Sequence, residues 1–219
     1  MYIAIEGVIG VGKTTLARLL KPIFHVNLLL EVFEENPFLS DFYADRERYA
    51  FQTQIFFLLS RYHQQRRAIP ALLAAGTPLI TDYTFEKDAL FARINLRGDE
   101  LEMYYRVHEA LAEKIPHPDL LVYLRATTDT LMQRIALRDR TYERNMEPEY
   151  IDQLNRAYEE FFSQRGREAS TLIIDTDHLD YIRNPDHLRW VEDRLRQAMK
   201  LPPFQQELPL TVGDGRADI

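Results

Sequence analysis

The segment GVIGVGKT, residues 7–14, constrains this chain more than any other feature. It follows a short apolar run, 2–5, and opens a helix-like stretch. In that strand–loop–helix setting the pattern GxxxxGK(S/T) has a physical meaning. Its glycines let backbone N–H groups turn inward onto phosphate oxygens, and the following helix presents its positive end to the same anion. Lys13 adds a mobile charge for terminal phosphates, and the hydroxyl of Thr14 is placed to ligate Mg²⁺. We therefore read Gly7, Val8, Ile9, Gly10, Val11, Gly12, Lys13, Thr14 and Thr15 as a binding loop for a nucleoside triphosphate.

Five short β-branched runs, 2–5, 28–30, 78–81, 120–124 and 171–174, are separated by longer helix-like stretches. This alternation predicts an α/β fold around a mostly parallel sheet. Helices are expected over 14–20, 46–69 (ending before Pro70), 101–114, 128–138, 148–165 (ending at Gly166) and 185–199. Thr127 or Thr128 is a plausible N-cap for the fourth of these. A single domain is expected over 1–200, followed by a loosely packed tail, 201–219, rich in proline, glycine and charge.

In open parallel sheets, ligands bind beyond the carboxyl ends of the strands. The second run ends at Glu31 and the third at Asp82, so both carboxylates are expected to face the phosphate loop. One carboxylate can accept the proton of an attacking hydroxyl while the other holds a metal or its waters. Glu31 is the better base and Asp82 the better metal-side group. The plainer alternatives are a turn-capping Glu31 and a turn-forming Asp82. Arg134 and Arg138, four apart, share a helix face. Arg140 can join them only if the chain leaves the helix near Asp139. Such arginines suit a lid that meets charge on a transferring phosphoryl group, though they also suit a solvated helix face.

The stretch 43–61 is apolar nearly all round, so it should be covered on more than one side, by a second helix layer or a subunit partner. Gln52 and Gln54 are unusual there. A glutamine amide presents a donor beside an acceptor and can match a nucleobase edge, or can simply bond within the packing.

Composition removes other classes. The chain has 219 residues, 46% of them hydrophobic, which is enough for a real core. It has no cysteine, which excludes disulfides and Cys-ligated metal centres. Its net charge of −7 disfavours a broad nucleic-acid surface. No apolar run approaches the roughly 20 residues of a membrane span. With a strand beginning at Tyr2, no secretory leader is expected, and the compartment expected is cytoplasmic.

Taken together, IAIEGVIGVGKTT, EVFEENPFLSDFY, YAFQTQIFFLLSRYHQ, TDYTFEKDALFA and LMQRIALRDRTYE resemble the deoxynucleoside kinases, specifically the bacterial deoxyguanosine/deoxyadenosine kinase group. The resemblance implies a P-loop, NMP-kinase-like three-layer fold: a five-stranded parallel sheet flanked by helices, with an arginine-bearing lid over about 138–148. It implies ATP- and Mg²⁺-dependent phosphorylation of a deoxynucleoside 5′-hydroxyl in nucleotide salvage, and a homodimer through the apolar helix. By position, residues 7–14 hold ATP and Mg²⁺, Glu31 is the base, and Asp82 stands beside the metal. Tyr43 and Glu143 match groups that bind the sugar 3′-hydroxyl, Gln54 matches the glutamine that pairs with the base, and Phe91 matches a stacking aromatic. Arg61 and Asp88 match a polar pair at the base edge, and Arg134, Arg138 and Arg140 match the lid arginines.

There are two departures. The spacing from Asp88 to Phe91 is one residue shorter than in the animal enzymes. Many relatives also have an arginine after the acid of the third strand, where it helps to hold the 5′-hydroxyl and the base carboxylate. Here Tyr83 follows Asp82, so that role must be met otherwise, and Tyr83 is taken as a substrate-side residue.

Three rivals are weaker. A thymidylate kinase-like enzyme needs an extra cation near Glu31, and 31–41 contains no arginine. A switch GTPase needs a guanine-reading motif such as NKxD, which is absent. Against a non-catalytic nucleotide-binding homologue acting as an assembly subunit stands the combination of an intact loop, base and lid.

Overall fold

In the computed structural model, residues 1–165 and 170–203 are described. Five strands, β1 (Tyr2–Glu6), β2 (Asn27–Leu29), β3 (Leu79–Thr81), β4 (Leu120–Arg125) and β5 (Thr171–Asp175), form one sheet in the order β2-β3-β1-β4-β5. Every pairing is parallel, with Ile3 opposite Ile80 on one side and Leu120 on the other. β1 lies at the centre and is buried along its whole length, so its run carries no polar alternation. Because all strands point the same way, their carboxyl ends deliver Glu6, Asp82 and the residues after β2 to one edge of the sheet.

Among the described residues, eight α-helices connect and cover the strands: α1 (Lys13–Phe24), α2 (Leu39–Ala44), α3 (Arg46–Ala74), α4 (Lys87–Asn95), α5 (Gly98–Ala112), α6 (Thr128–Arg138), α7 (Pro148–Arg165) and α8 (Pro185–Ala198). Thr127 caps α6 by accepting from the N–H of Thr130, and Asp45 caps α3 by accepting from that of Arg48.

Two helix ends differ from expectation for the same reason. α3 runs through Pro70 to Ala74, and α1 runs through Pro22 to Phe24. A proline frees the carbonyl four residues earlier, here Arg66 and Arg18. Both residues are exposed, so water can satisfy those carbonyls. α3 stops only where Gly76 turns at φ +70° and Thr77 N–H bonds back to Leu72.

Two helices, α2 and α4, lacked a sequence signal. α2 has only six residues, and α4 buries Lys87 and Asp88 in its first turn, which removes the usual apolar pattern. The expected helix end at Gly166 and, of the expected tail over 201–219, residues 204–219 lie outside the described residues. Among the described residues, no helix is long and apolar enough to cross a membrane.

Candidate functional site

The turn after β1 depends on glycine at two places. Gly7 has φ +148°, and a Cβ there would lie 2.3 Å from the carbonyl oxygen of Leu124. Gly12 has φ +102°, and a Cβ would lie 2.3 Å from the Tyr181 hydroxyl. Left-handed backbone and close approach both favour glycine. The loop therefore fits tightly between β4 and the segment after β5, and opens on its other side into a cleft of about 440 Å³. Ile9, Gly10, Gly12, Lys13, Thr14 and Thr15 line that cleft, whereas Val8 and Val11 are buried behind it.

Lys13 is folded back onto its own loop. Its ammonium donates to the carbonyls of Gly7 (2.6 Å) and Val8 (3.3 Å). Burial and the neighbouring Lys87 charge bring its pKa down to about 8. Beside it, the Thr14 hydroxyl donates to Asp82 Oδ2 at 2.5 Å. Asp82 Oδ1 accepts the backbone N–H of Glu31 at 2.8 Å. One carboxylate thus ties the phosphate loop to the end of β2. A hydroxyl beside a carboxylate is a hard-oxygen donor set. Among the described residues, no group of three or more His, Cys, Asp or Glu could hold a metal ion, so a cation here would take its other ligands from phosphate and water.

Glu31 lies across the cleft, held by two cations. Arg61 donates to Oε1 through Nε (2.8 Å) and Nη2, and Lys87 donates to Oε2 at 2.6 Å. Burial by itself would raise this carboxyl. The Arg61 and Lys87 charges more than reverse that and hold it well below the usual carboxylate range. Arg61 Nη1 also pairs with Asp88, which is fully buried behind it. Gln54, Phe57 and Arg61 are spaced 3 and 4 along α3 and share a face. Phe57 and Arg61 line the cleft, whereas Gln54, one turn earlier, is buried and is not among the lining residues. Phe91, from α4, lines the same wall and meets Tyr158 edge-on, with ring centroids 6.4 Å apart.

The remaining wall is the segment after α6. Asp139 leaves the helix at φ 48°, and this swings Arg140 to the same side as Arg138. Arg138 pairs with both oxygens of Glu143 (2.7 and 2.6 Å), and Arg140 lies 3.6 Å from it. Tyr43 stacks on Tyr142 at 5.9 Å, and the Arg140 guanidinium covers the Phe33 ring at 4.0 Å.

Two residues grouped with the site on sequence are directed elsewhere. Arg134 is one helical turn from Arg138 and points back behind the phosphate loop. It donates to the Val11, Thr176 and Leu179 carbonyls and to the Thr176 hydroxyl, so it braces the loop against the segment after β5 instead of joining Arg138 and Arg140. Tyr83 is fully buried, and its hydroxyl donates at 2.5 Å to Gln64, whose amide bonds Leu30 O. It fastens β3 to the end of β2 and does not face the cleft.

Sequence reasoning missed Lys87 and Glu6. Glu6 is buried and accepts from the N–H groups of Gly7 and Thr84 and from the hydroxyls of Thr84 and Tyr158. Burial pushes its carboxyl up. The available signal was a charged residue at the end of the central strand, where every other position is apolar. Lys87 carried no comparable signal.

The family model described as deoxynucleoside kinase matches residues 3–200. A deoxyguanosine kinase from Bacillus subtilis (strain 168) is 37% identical over 201 residues, covering 90% of this chain and 97% of the relative. A deoxyadenosine kinase from Dictyostelium discoideum is 35% identical over 220 residues, covering 98% and 86%. Among solved structures, a deoxyadenosine kinase from M. mycoides with bound dCTP aligns at TM-score 0.77 and 27% identity, over 90% of this chain and 100% of that one. The fold is thus the P-loop, NMP-kinase-like one. A match that spans nearly all of the chain, with relatives above 30% identity covered almost end to end, means that this protein belongs to the deoxynucleoside kinase family.

Proposed function

We propose that the protein phosphorylates the 5′-hydroxyl of a purine deoxynucleoside, with ATP and Mg²⁺. The observation that carries this reading is the link from Thr14 through Asp82 to the Glu31 backbone, which sets a phosphate loop, a hard-oxygen pair and a facing carboxylate around one cleft. The hydroxyl oxygen attacks the terminal phosphorus in line, and its proton passes to Glu31. The bond to the bridging oxygen breaks, and its electron pair leaves with the nucleoside diphosphate. Lys13 moves from its carbonyls to the phosphates, while Arg138 and Arg140 turn from Glu143 to the transferring group. The Thr14 hydroxyl and the Asp82 carboxylate would hold Mg²⁺, which when bound would supply charge neutralisation for the phosphates. Gln54 reads the base edge with Arg61 and Asp88, and Phe91 stacks on the base. Tyr43 and Glu143 hold the 3′-hydroxyl. Arg134 serves by bracing the loop. Residues 1–200 act as one domain, with 138–148 as the lid.

Relatives named as deoxyguanosine and deoxyadenosine kinases support a purine acceptor, and one named as a deoxyadenosine/deoxycytidine kinase keeps deoxycytidine as the alternative. A coupled phosphorylation assay with ATP–Mg²⁺ and dA, dG, dC, dT and their monophosphates tests it. Strong turnover of dG or dA is expected. Turnover of dTMP alone would replace the acceptor, and turnover of nothing would end the enzymatic reading.

A homodimer through α3 is the second part of the proposal. Leu59 on α3 and Met103 on α5 are exposed at 41% and 57%, and the two helices pack side by side. Light scattering at micromolar concentration should give about twice the 25.9 kDa chain mass; the monomer mass would refute the dimer.

A further inference from the structure

Four charged groups form a closed ring at the floor of the cleft. Lys87 pairs with Glu31, Glu31 with Arg61, and Arg61 with Asp88, which is the residue next to Lys87 in the chain. The first turn of α4 thus supplies both ends of the ring. The two cations are used differently. The Arg61 guanidinium is divided between Glu31 Oε1 and Asp88, whereas among the described residues the Lys87 ammonium has Glu31 Oε2 as its one ion-pair partner.

Lys87 is also badly placed as a purely structural charge. It is 5% exposed, its charge opposes that of nearby Lys13, and it stands in the first turn of a helix, where the backbone dipole disfavours cations. An apolar residue of similar length would fill the space beside the Tyr83 ring without those costs. The Lys87 charge is attractive to buried Glu6 at longer range, but its one hydrogen-bonded ion pair among the described residues is a fixed hold on one oxygen of Glu31.

We infer that Lys87 is a positioning residue for phosphoryl transfer: it holds Oε2 of Glu31, so that Oε1 faces the acceptor hydroxyl once Arg61 turns toward Asp88 and the bound nucleobase. This rests on the reading of Glu31 as the base. A nucleobase that contacts Arg61 and Asp88 draws on the shared cation and releases Oε1. It has no corresponding claim on Lys87. Binding of the base and readiness of the carboxylate are thereby coupled through one guanidinium, and Lys87 keeps the carboxylate from rotating when that guanidinium leaves.

The test compares Lys87→Met, Lys87→Ala, Glu31→Gln and the double variant Glu31→Gln/Lys87→Met, using the deoxynucleoside that the substrate panel identifies. For Lys87→Met we expect kcat to fall about 100-fold, with KM and nucleoside Kd within about threefold of the parent. The double variant should be no slower than Glu31→Gln alone, because a residue acting through Glu31 has nothing to add once the carboxylate is gone. Ethylammonium, filling the space left in Lys87→Ala, should raise kcat about tenfold and saturate, with no such effect in Glu31→Gln/Lys87→Ala. If Lys87→Met fails to fold, Lys87→Arg is the substitute, and it should keep kcat within about tenfold of the parent. A Lys87→Met kcat near the parent, a defect wholly in KM, or a double variant slower than Glu31→Gln by the full Lys87 factor would overturn the proposal. Failure of the base reading has a different signature: Glu31→Gln itself would turn over.

Discussion

Glu31→Gln is expected to lower kcat by about 1,000-fold while nucleoside affinity stays within a few-fold. The amide keeps the size of the carboxylate and can still accept from Arg61 or Lys87, so the cleft keeps its shape. It loses the capacity to take a proton and to align the attacking hydroxyl by charge. Both cations hold the Glu31 carboxyl below its ordinary range, which makes it a weak base. That suits phosphoryl transfer through a loose transition state, where the hydroxyl gives up its proton late and needs orientation before it needs deprotonation. Single-turnover kinetics with isothermal titration of the nucleoside separates the two effects. A kcat within a few-fold of the parent would remove Glu31 from the chemistry.

Arg61→Leu should cost about 3–5 kcal/mol of stability, because it leaves a buried charge without its partner. Asp88 is fully buried, its Oδ1 is paired with Arg61, and its Oδ2 has no hydrogen-bond partner among the described residues. The substitution also removes the contact of the guanidinium with the Phe57 ring, 4.4 Å away. Adding Asp88→Leu should restore at least about half of the loss, since two apolar groups then replace a broken ion pair. Urea unfolding of the parent, both single variants and the double variant closes this cycle. A cost below about 1 kcal/mol would mean that water reaches the pair and screens it as at a surface.

The way each part of the site was readable follows the range of the interactions that build it. The phosphate loop was legible because it is local: Gly7 and Gly12 satisfy backbone geometry within one turn, and Lys13 and Thr14 follow at fixed spacing. The need for a bend at Asp139 to bring Arg140 beside Arg138 was likewise legible, since residues two apart on an unbroken helix do not share a face. The extents of α1 and α3 were misjudged at Pro22 and Pro70. A proline is better tolerated inside a helix where the freed carbonyl can turn to water, and exposure is a property of the folded molecule.

The roles of single charged side chains were the least legible. Arg134 and Arg138 are equivalent by spacing. One braces the phosphate loop and the other meets Glu143, because the segment after β5 passes behind one turn of α6 and not the next. Tyr83 stands where the resemblance expects a cation at the carboxylate, yet it turns inward to Gln64, while Lys87 reaches Glu31 from four residues further on. By itself the sequence determined the parallel α/β sheet, the phosphate loop and the two strand-end carboxylates, because period, glycine placement and strand direction are encoded within short windows. Only the tertiary structure decided which cations meet Glu31, since an ion pair depends on where distant segments bring their side chains, and residues 31, 61 and 87 become neighbours only after β2, α3 and α4 have packed.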